Sequence, residues 1–415
     1  MRVSGRLLAD VRPLQISPEF RRLWFGHAVS TIGTWMTGVA VAVQVYDLTS
    51  SSFAVGAVGL ATMVPTLLMG LLGGSIADAV DRRRLVVGTS SGLALVVLLL
   101  AAQAALDLRQ LWLLYALTAA QSALAAIDAP ARRTFLPRLL PAELLPAAGT
   151  LMHSSWQVSA FIGPLLAGAL AASAGVFAVY AVDALTYVLA AWMTTRIRPM
   201  PPEGGGTTAG LRSVVEGLRF ARRHPLVAAV LLADLNATVL AMPHALFPEL
   251  ADTRFGGGAL ATGLLYAAPG IGGLVIAVLS GPLGGVRRQG VALMLAVGCW
   301  GVGMIGLGLS PTLWLALGFL AVAGAADVVT VVYRGAILQL TTPDAYRGRI
   351  SGLDFVVGSG GPQLGNARAG TVASVSGPAT AAVLGGAAVV LGAFALAAAA
   401  PALARYHPAA AAVPE

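Results

Sequence analysis

The sequence predicts an all-α membrane protein of twelve transmembrane helices in two pseudo-symmetric six-helix bundles, with both termini cytoplasmic. Three observations predict it: the composition, the number of apolar runs long enough to cross a bilayer, and the confinement of arginine to alternate loops. The chain of 415 residues is 57% hydrophobic and 11% charged, where a soluble domain carries about a quarter charged residues. Its mean hydropathy is +0.81. All 26 basic residues are arginine. The phosphate-cradling motif of P-loop proteins needs a lysine, so this polypeptide does not power itself through such a site. A net charge of +8 suggests nucleic acid in a soluble protein; here the arginines serve orientation, and no nucleic-acid partner is expected. The lone Cys299 lies in an apolar run, so disulfides play no part.

The elements follow in order. Apolar runs at 23–46, 53–77, 85–106, 111–130, 147–172 and 176–196 form the first six spans, and 225–248, 259–283, 290–309, 312–334, 351–374 and 378–403 the second six. Each is long enough to cross hydrocarbon as a helix. Pro65, Pro164, Pro269 and Pro362 fall inside spans, which membrane helices tolerate better than soluble ones. More than twenty residues precede the first run and no small-residue cleavage site follows it, so no cleavable signal peptide is expected. Arginine tests the count, because its placement is independent of hydropathy. With both termini inside, twenty-two arginines fall on the inner side and only Arg109 and Arg254 outside, leaving Arg334 and Arg368 within spans. That is the positive-inside pattern.

The longest hydrophilic stretch, 198–224, divides the chain into an N-terminal bundle (1–197) and a C-terminal bundle (225–415). It opens as a Pro- and Gly-rich linker. It continues as a short basic amphipathic helix over Leu211–Arg223, with Leu211, Val214, Val215 and Leu218 on one face, expected to lie on the inner leaflet. The halves echo each other. Arg132 to Pro141 pairs with Arg334 to Pro343, Gly163-Pro-Leu-Leu-Ala-Gly168 with Gly361-Pro-Gln-Leu-Gly365, and Gly74-x-x-x-Asp78 with Gly281-x-x-x-Gly285. Near-equal offsets argue for duplication, the construction of alternating-access transporters.

The charged turn between spans 2 and 3 contains Gly74, Asp78, Asp81, Arg82, Arg83 and Arg84. Together with Phe20-Arg-Arg-Leu-Trp24, Tyr180-Ala-Val-Asp-Ala-Leu-Thr186 and Arg347-Gly-Arg-Ile-Ser-Gly352, it resembles the major facilitator superfamily. Within that superfamily the resemblance is to the bacterial exporter branch that includes the enterobactin exporter and macrolide-efflux proteins. The resemblance covers nearly the whole chain and implies the major facilitator fold in a bacterial inner membrane. It further implies that Asp78 holds an inner gate shut by capping the start of span 11, near Ile350, a contact favoured by the positive end of a helix. Ala79 and Asp81 depart from the wider superfamily pattern but fit the branch. Gly163, Pro164 and Gly168 partly match the superfamily's antiporter motif; ordinary small-residue helix packing reads them equally well. In span 4, Gln121 is present, but Thr118 stands where drug–proton antiporters often carry an arginine.

Ionisable residues inside spans are the default functional candidates. Spans 1, 4, 7 and 10 line the cavity in the superfamily, which implies a substrate and proton cavity of Gln121, Asp128, Asp234, Asn236, Asp327 and Arg334. Arg334 lies two turns from Asp327 on one face and is expected to form a structural pair with it. Asp234 has no basic residue at similar depth in its own span and is the expected coupling carboxylate. Asp183, Asp354 and Arg368 fall outside the cavity set and read as structural. His27 and His244 fall in the class that titrates near neutral pH, with packed imidazoles the expected state.

The expected function is secondary transport, with export of a hydrophobic or amphipathic small molecule of drug or siderophore type by proton antiport. An importer or facilitator of the same fold is the alternative. A membrane-embedded enzyme is disfavoured by short outer loops and the lack of a metal cluster or nucleophile–base pair. Gly270-x-Gly-Gly sits inside span 8 with no strand before it and is no nucleotide site. No cofactor and no metal are expected; the partners are the bilayer, protons and a small-molecule substrate, with the chain acting as a monomer. Reporter fusions after Asp107 and after Arg254 are expected to report outside, and fusions at Gly205 and at the C-terminus inside. An inside signal at Arg254 would overturn the two-times-six arrangement.

Overall fold

The computed structural model describes residues 10–201, 211–279 and 285–407, with the side chains of 74, 75, 77, 78, 211–213 and 345 also outside the described set. The first half runs α1 Arg12–Ile16, α2 Pro18–Thr49, α3 Ser52–Ala79, α4 Arg82–Ala105, α5 Leu111–Arg133, α6 Leu136–Leu139 and α7 Leu145–Thr195. The second runs α8 Leu211–Arg223, α9 Pro225–Ala241, α10 Phe247–Thr253, α11 Gly258–Val278, α12 Gln289–Leu309, α13 Leu313–Thr341, α14 Asp344–Ser376, α15 Pro378–Ala399 and α16 Pro401–Ala404. Among the described residues every regular element is helical, as hydrocarbon requires of a chain that satisfies its backbone polar groups internally without closing a barrel.

Local chemistry places the helix ends. Ser17 caps α2 by accepting from the Phe20 amide at 3.1 Å, with Pro18 at the first helical position, where its missing N–H costs nothing. Asp81 caps α4, accepting from the Arg84 amide at 2.9 Å. Ten helical stretches among the described residues are long and apolar enough to cross a membrane. One of them, Ala142–Thr195, runs 54 residues, against about twenty for a single crossing. It is broken at Gly175, whose φ of 79° belongs to glycine. The 33-residue α14 is long enough but less apolar, carrying Asp344, Arg347, Arg349, Asp354 and Arg368.

One expectation is corrected. The helix of span 7 stops at Ala241 instead of running to 248. Met242 precedes Pro243 and takes an extended ψ of 120°, because a following proline disfavours the helical region. A 3₁₀ turn over His244–Leu246 and the short α10 complete the segment. The amphipathic α8 also packs against the protein. Its Phe220 is buried and stacks on Tyr346 of α14 at 4.4 Å, and Glu216 pairs with Arg349 at 2.8 Å. Val215 and Leu218 remain exposed.

Buried apolar side chains gather in three clusters. One draws on residues from Phe220 to Leu403. The other two draw on residues up to Met200, one of them also taking Ala245. The outer surface is apolar: Leu391, Phe394 and Val375 are largely exposed. Trp112 and Trp314 are exposed near the starts of α5 and α13, and Trp192 near the end of α7. Those are the depths at which aromatic belts meet the bilayer interface.

Glycine sets the closest helix contacts. A Cβ on Gly163 of α7 would lie 2.5 Å from Trp35 Cβ and 2.8 Å from the Ile32 carbonyl oxygen of α2. On Gly168 it would lie 2.8 Å from Gly263 Cα of α11, and on Gly263 2.5 Å from the Pro164 oxygen. Between α3 and α14, Gly56 meets Asn366, Gly59 meets Gln363 and Gly70 meets Phe355. Such small-residue faces let membrane helices approach backbone to backbone. Gly163→Val is expected to destabilise the protein by about 1–3 kcal/mol, the usual range for overpacking, read as a lower unfolding midpoint in detergent; an unchanged midpoint would mean that α2 and α7 separate freely there.

Candidate substrate and proton sites

Arg334 joins three helices. From α13 it meets Asp234 of α9 in an ion pair, and its Nε lies 3.6 Å from Asp354 Oδ1 of α14. The pair is largely enclosed, with Arg334 at 14% and Asp234 at 7% side-chain exposure, while Asp354 keeps 34%. One guanidinium therefore holds two carboxylates and ties α13 to both α9 and α14. The expected pairing of Arg334 with Asp327 is not formed. Two turns separate them by about 10 Å along α13, so the long arginine swings across to α9 instead. Asp327 stays exposed, in electrostatic range of Asp234 and Arg334. Asp354, expected to be structural, belongs to this cluster.

A second ion pair lies in the first half. Arg132 and Asp128 are one turn apart on α5 and in direct contact. Thr89 Oγ1 of α4 donates to Asp128 Oδ1 at 2.6 Å, and Arg132 Nη2 donates to Ser90 Oγ at 2.9 Å. Both charged residues are buried. Arg132, expected in an inner loop, is instead the last-turn partner of Asp128, because α5 continues three residues past the expected end at 130. Gln121 is buried beside Tyr187, whose hydroxyl bonds Thr34 Oγ1 at 2.7 Å. Asn236 turns away from the centre: its amide donates to the Val389 carbonyl of α15 at 2.9 Å.

The charged turn is tied to the end of α7. Asp81 accepts from the Met200 amide at 2.9 Å, Arg82 N donates to Met200 O at 3.1 Å, and Arg83 Nη2 donates to Thr195 O at 2.6 Å. Position 74 and the Asp78 side chain, and with it the expected gate contact to the start of span 11, lie outside the described set.

A cavity of about 240 Å³ opens nearer the opposite, arginine-poor end. Its lining comes from α2 (Gly38, Val41, Ala42), α3 (Val55, Val58, Gly59, Thr62), α5 (Ser122), the turn before α10 (His244, Ala245), α11 (Tyr266) and α14 (Gln363, Asn366). No lining residue carries a fixed charge. Tyr266 stacks on His244 at 4.8 Å and donates its hydroxyl to the His244 carbonyl at 3.1 Å. None of the six expected cavity residues lines it. Gln363 and Asn366, polar and three apart in span 11, were the available sequence signal, as were Thr62 and the aromatic Tyr266.

The fold and this arrangement are those of a membrane transporter of the major facilitator type. Two solved structures share the fold: the nucleoside transporter NupG (TM-score 0.74, 13% identity, covering 94% of this chain and 99% of that one) and the peptide transporter POT in complex with sulfate (TM-score 0.74, 13% identity, 95% and 96%). A family model described as transmembrane secretion effector matches residues 9–410, and the chain belongs to that family of transporters. Among curated relatives, the enterobactin exporter EntS of Shigella boydii serotype 18 is 28% identical over 382 residues, and that of Escherichia coli O139:H28 is 27% identical, each covering 91% of both chains. The protein is a multi-pass membrane transporter and not an enzyme.

Replacing Arg334 by Met leaves Asp234 and Asp354 without their cation and is expected to cost about 3–5 kcal/mol. The double variant Arg334→Met, Asp234→Asn should lose less than the two single variants together, measured as unfolding midpoints in detergent. Strict additivity would show that the two groups do not interact.

Proposed function

We propose that this protein exports a small hydrophobic or amphipathic molecule, of drug or siderophore type, across the bacterial cytoplasmic membrane by proton antiport with alternating access. Twelve spans carry the cycle. Ten apolar stretches become eleven when α7 is divided at Gly175, and α14 supplies the twelfth. Residues 1–197 and 225–415 act as two rocking bundles joined by 198–224, with the arginine-rich ends in the cytoplasm. The relatives named as enterobactin exporters support the substrate type and the direction.

The observation that carries the coupling is the shared arginine. With Asp234 ionised, Arg334 ties α13 to α9 and, through Asp354, to α14. A proton on Asp234 removes one of the two charges that hold the guanidinium. The remaining attraction is to Asp354, so protonation shifts Arg334 from α9 toward α14. That is a differential contact between two states, which a proton needs in order to bias a conformational equilibrium. The uncharged cavity serves the substrate: its hydroxyl and amide groups orient polar substituents, and the Tyr266–His244 pair presents a flat apolar face.

Asp234→Asn fixes the protonated charge state permanently. Efflux driven by an imposed pH gradient in proteoliposomes should then be abolished, with downhill exchange retained. Equal acceleration by the gradient in wild type and Asp234→Asn would remove Asp234 from the mechanism and move the search to Asp128 and Asp327.

A further inference from the structure

Asp183 is a third enclosed carboxylate, and it differs from Asp128 and Asp234 in having no arginine. It sits eight residues past the Gly175 break, about 12 Å along the helix at 1.5 Å per residue, and so near mid-membrane. Its relative exposure is 0%. Its contacts are hydroxyls: Thr37 Oγ1 of α2 lies 2.6 Å from Oδ2, and Thr186 Oγ1 lies 3.0 Å from Oδ1. Among the described residues no arginine or histidine pairs with it. Among the described residues, the titratable side chain in electrostatic range of it is Tyr187 on its own helix, whose hydroxyl is bonded to Thr34. α2 brings only Gly33 and Thr37 against it, and Asp128 of α5, farther off, is already taken up by Arg132.

Counting protons decides its state. Each threonine hydroxyl has one hydrogen to give. Thr37 gives its own to Oδ2. Thr186 lies 2.7 Å from the backbone oxygen of Asp183 and 3.0 Å from Oδ1, so the carbonyl is the nearer of the two acceptors competing for its one hydrogen. An ionised Asp183 would hold its full charge at zero exposure with one committed donor. A neutral Asp183 closes the set: Thr37 donates to Oδ2, the acid hydrogen on Oδ1 goes to the Thr186 oxygen, and Thr186 donates to the backbone. A buried polar group costs little when every hydrogen bond is made, whereas a lone buried charge is expensive. The packing fixes this geometry, since a Cβ on Gly33 would lie 2.8 Å from Asp183 Cγ.

We propose that Asp183 is a proton-binding site, protonated at rest, which releases its proton to cavity water during the transport cycle. Thr37 adjoins Gly38, which lines the cavity. A small shift of α2 against α7 opens Asp183 to that water. The O–H bond then breaks, the proton leaves as hydronium, and water with Thr37 and Thr186 solvates the carboxylate. The site lies in the first half of the chain, separate from the Arg334 cluster in the second. Its transport role rests on the proton-antiport reading; its resting protonation does not.

Two measurements on the full-length protein test this. Infrared spectra at neutral pH should show a carboxylic-acid C=O band that Asp183→Asn removes and Asp183→Glu shifts in frequency, with the band intact in Asp234→Asn. A wild-type spectrum whose acid band survives Asp183→Asn unchanged, or is unmoved in Asp183→Glu should Asp183→Asn not fold, overturns the resting protonation. In proteoliposomes, Asp183→Asn or Asp183→Glu should lose or alter the acceleration of efflux by a pH gradient while keeping downhill exchange. Wild-type acceleration in both variants overturns the transport role. Absence of any gradient effect in wild type itself would instead refute antiport, leaving the infrared result to decide the proton site.

Discussion

A charge that is buried without a partner costs more than most single contacts return, and that constraint arranges the polar interior of this protein. Asp128 has Arg132 one turn away, and Asp234 has Arg334 from across the bundle. Asp183, with only hydroxyls in reach, meets the same constraint by a proton. The surfaces between helices are consequently free to be apolar and glycine-rich, because the charges are settled within small closed groups. Arg132 obeys it too, turned from the end of α5 onto Asp128 instead of out to water.

Close backbone approach is the second organising feature, and it occurs within the halves and also where parts of the chain from the two halves meet. Gly56, Gly59 and Gly70 place α3 against α14, and Gly168 with Gly263 places α7 against α11. Contacts of this kind are held by dispersion and shape, with few hydrogen bonds to break when helices tilt. At the arginine-poor end polar bridges are added. Ser52 donates to Glu249 of α10, Tyr46 lies 3.5 Å from Asp252, and the Ala245 amide donates to Asn366 at 3.3 Å. The cavity adjoins these bridges, with Ala245 and Asn366 in its lining, so the groups that close this end also roof the cavity.

Much of the fold was legible from hydropathy and arginine alone, because both are read one residue at a time and depend little on tertiary detail. The helices start at Pro18, Ser52 and Arg82, ahead of the apolar runs at 23, 53 and 85, because Ser17, Ser51 and Asp81 cap them there. The end of α9 was missed because hydropathy continues past Pro243 while the backbone cannot. The charged groups were legible as candidates but not as partners. Which carboxylate Arg334 meets depends on how α13 is rotated against α9 and α14, and spacing along one helix does not contain that rotation. Arg132 shows the same limit at a boundary: three more residues of helix turn a surface arginine into a buried partner. The cavity was least legible, since most of its polar groups are uncharged residues scattered over four helices and a turn.

The single-residue break at Gly175 gives α7 a mechanical character. No loop separates the arm that packs on α11 through Gly168 from the arm that carries Asp183. A longer connection would absorb a tilt of the first arm as slack. One glycine transmits it instead as torque, so the two arms behave as a bell crank with its pivot at the membrane edge. Any rocking of the second half against Gly168 is thereby felt along the seam where Gly33 and Thr37 enclose Asp183.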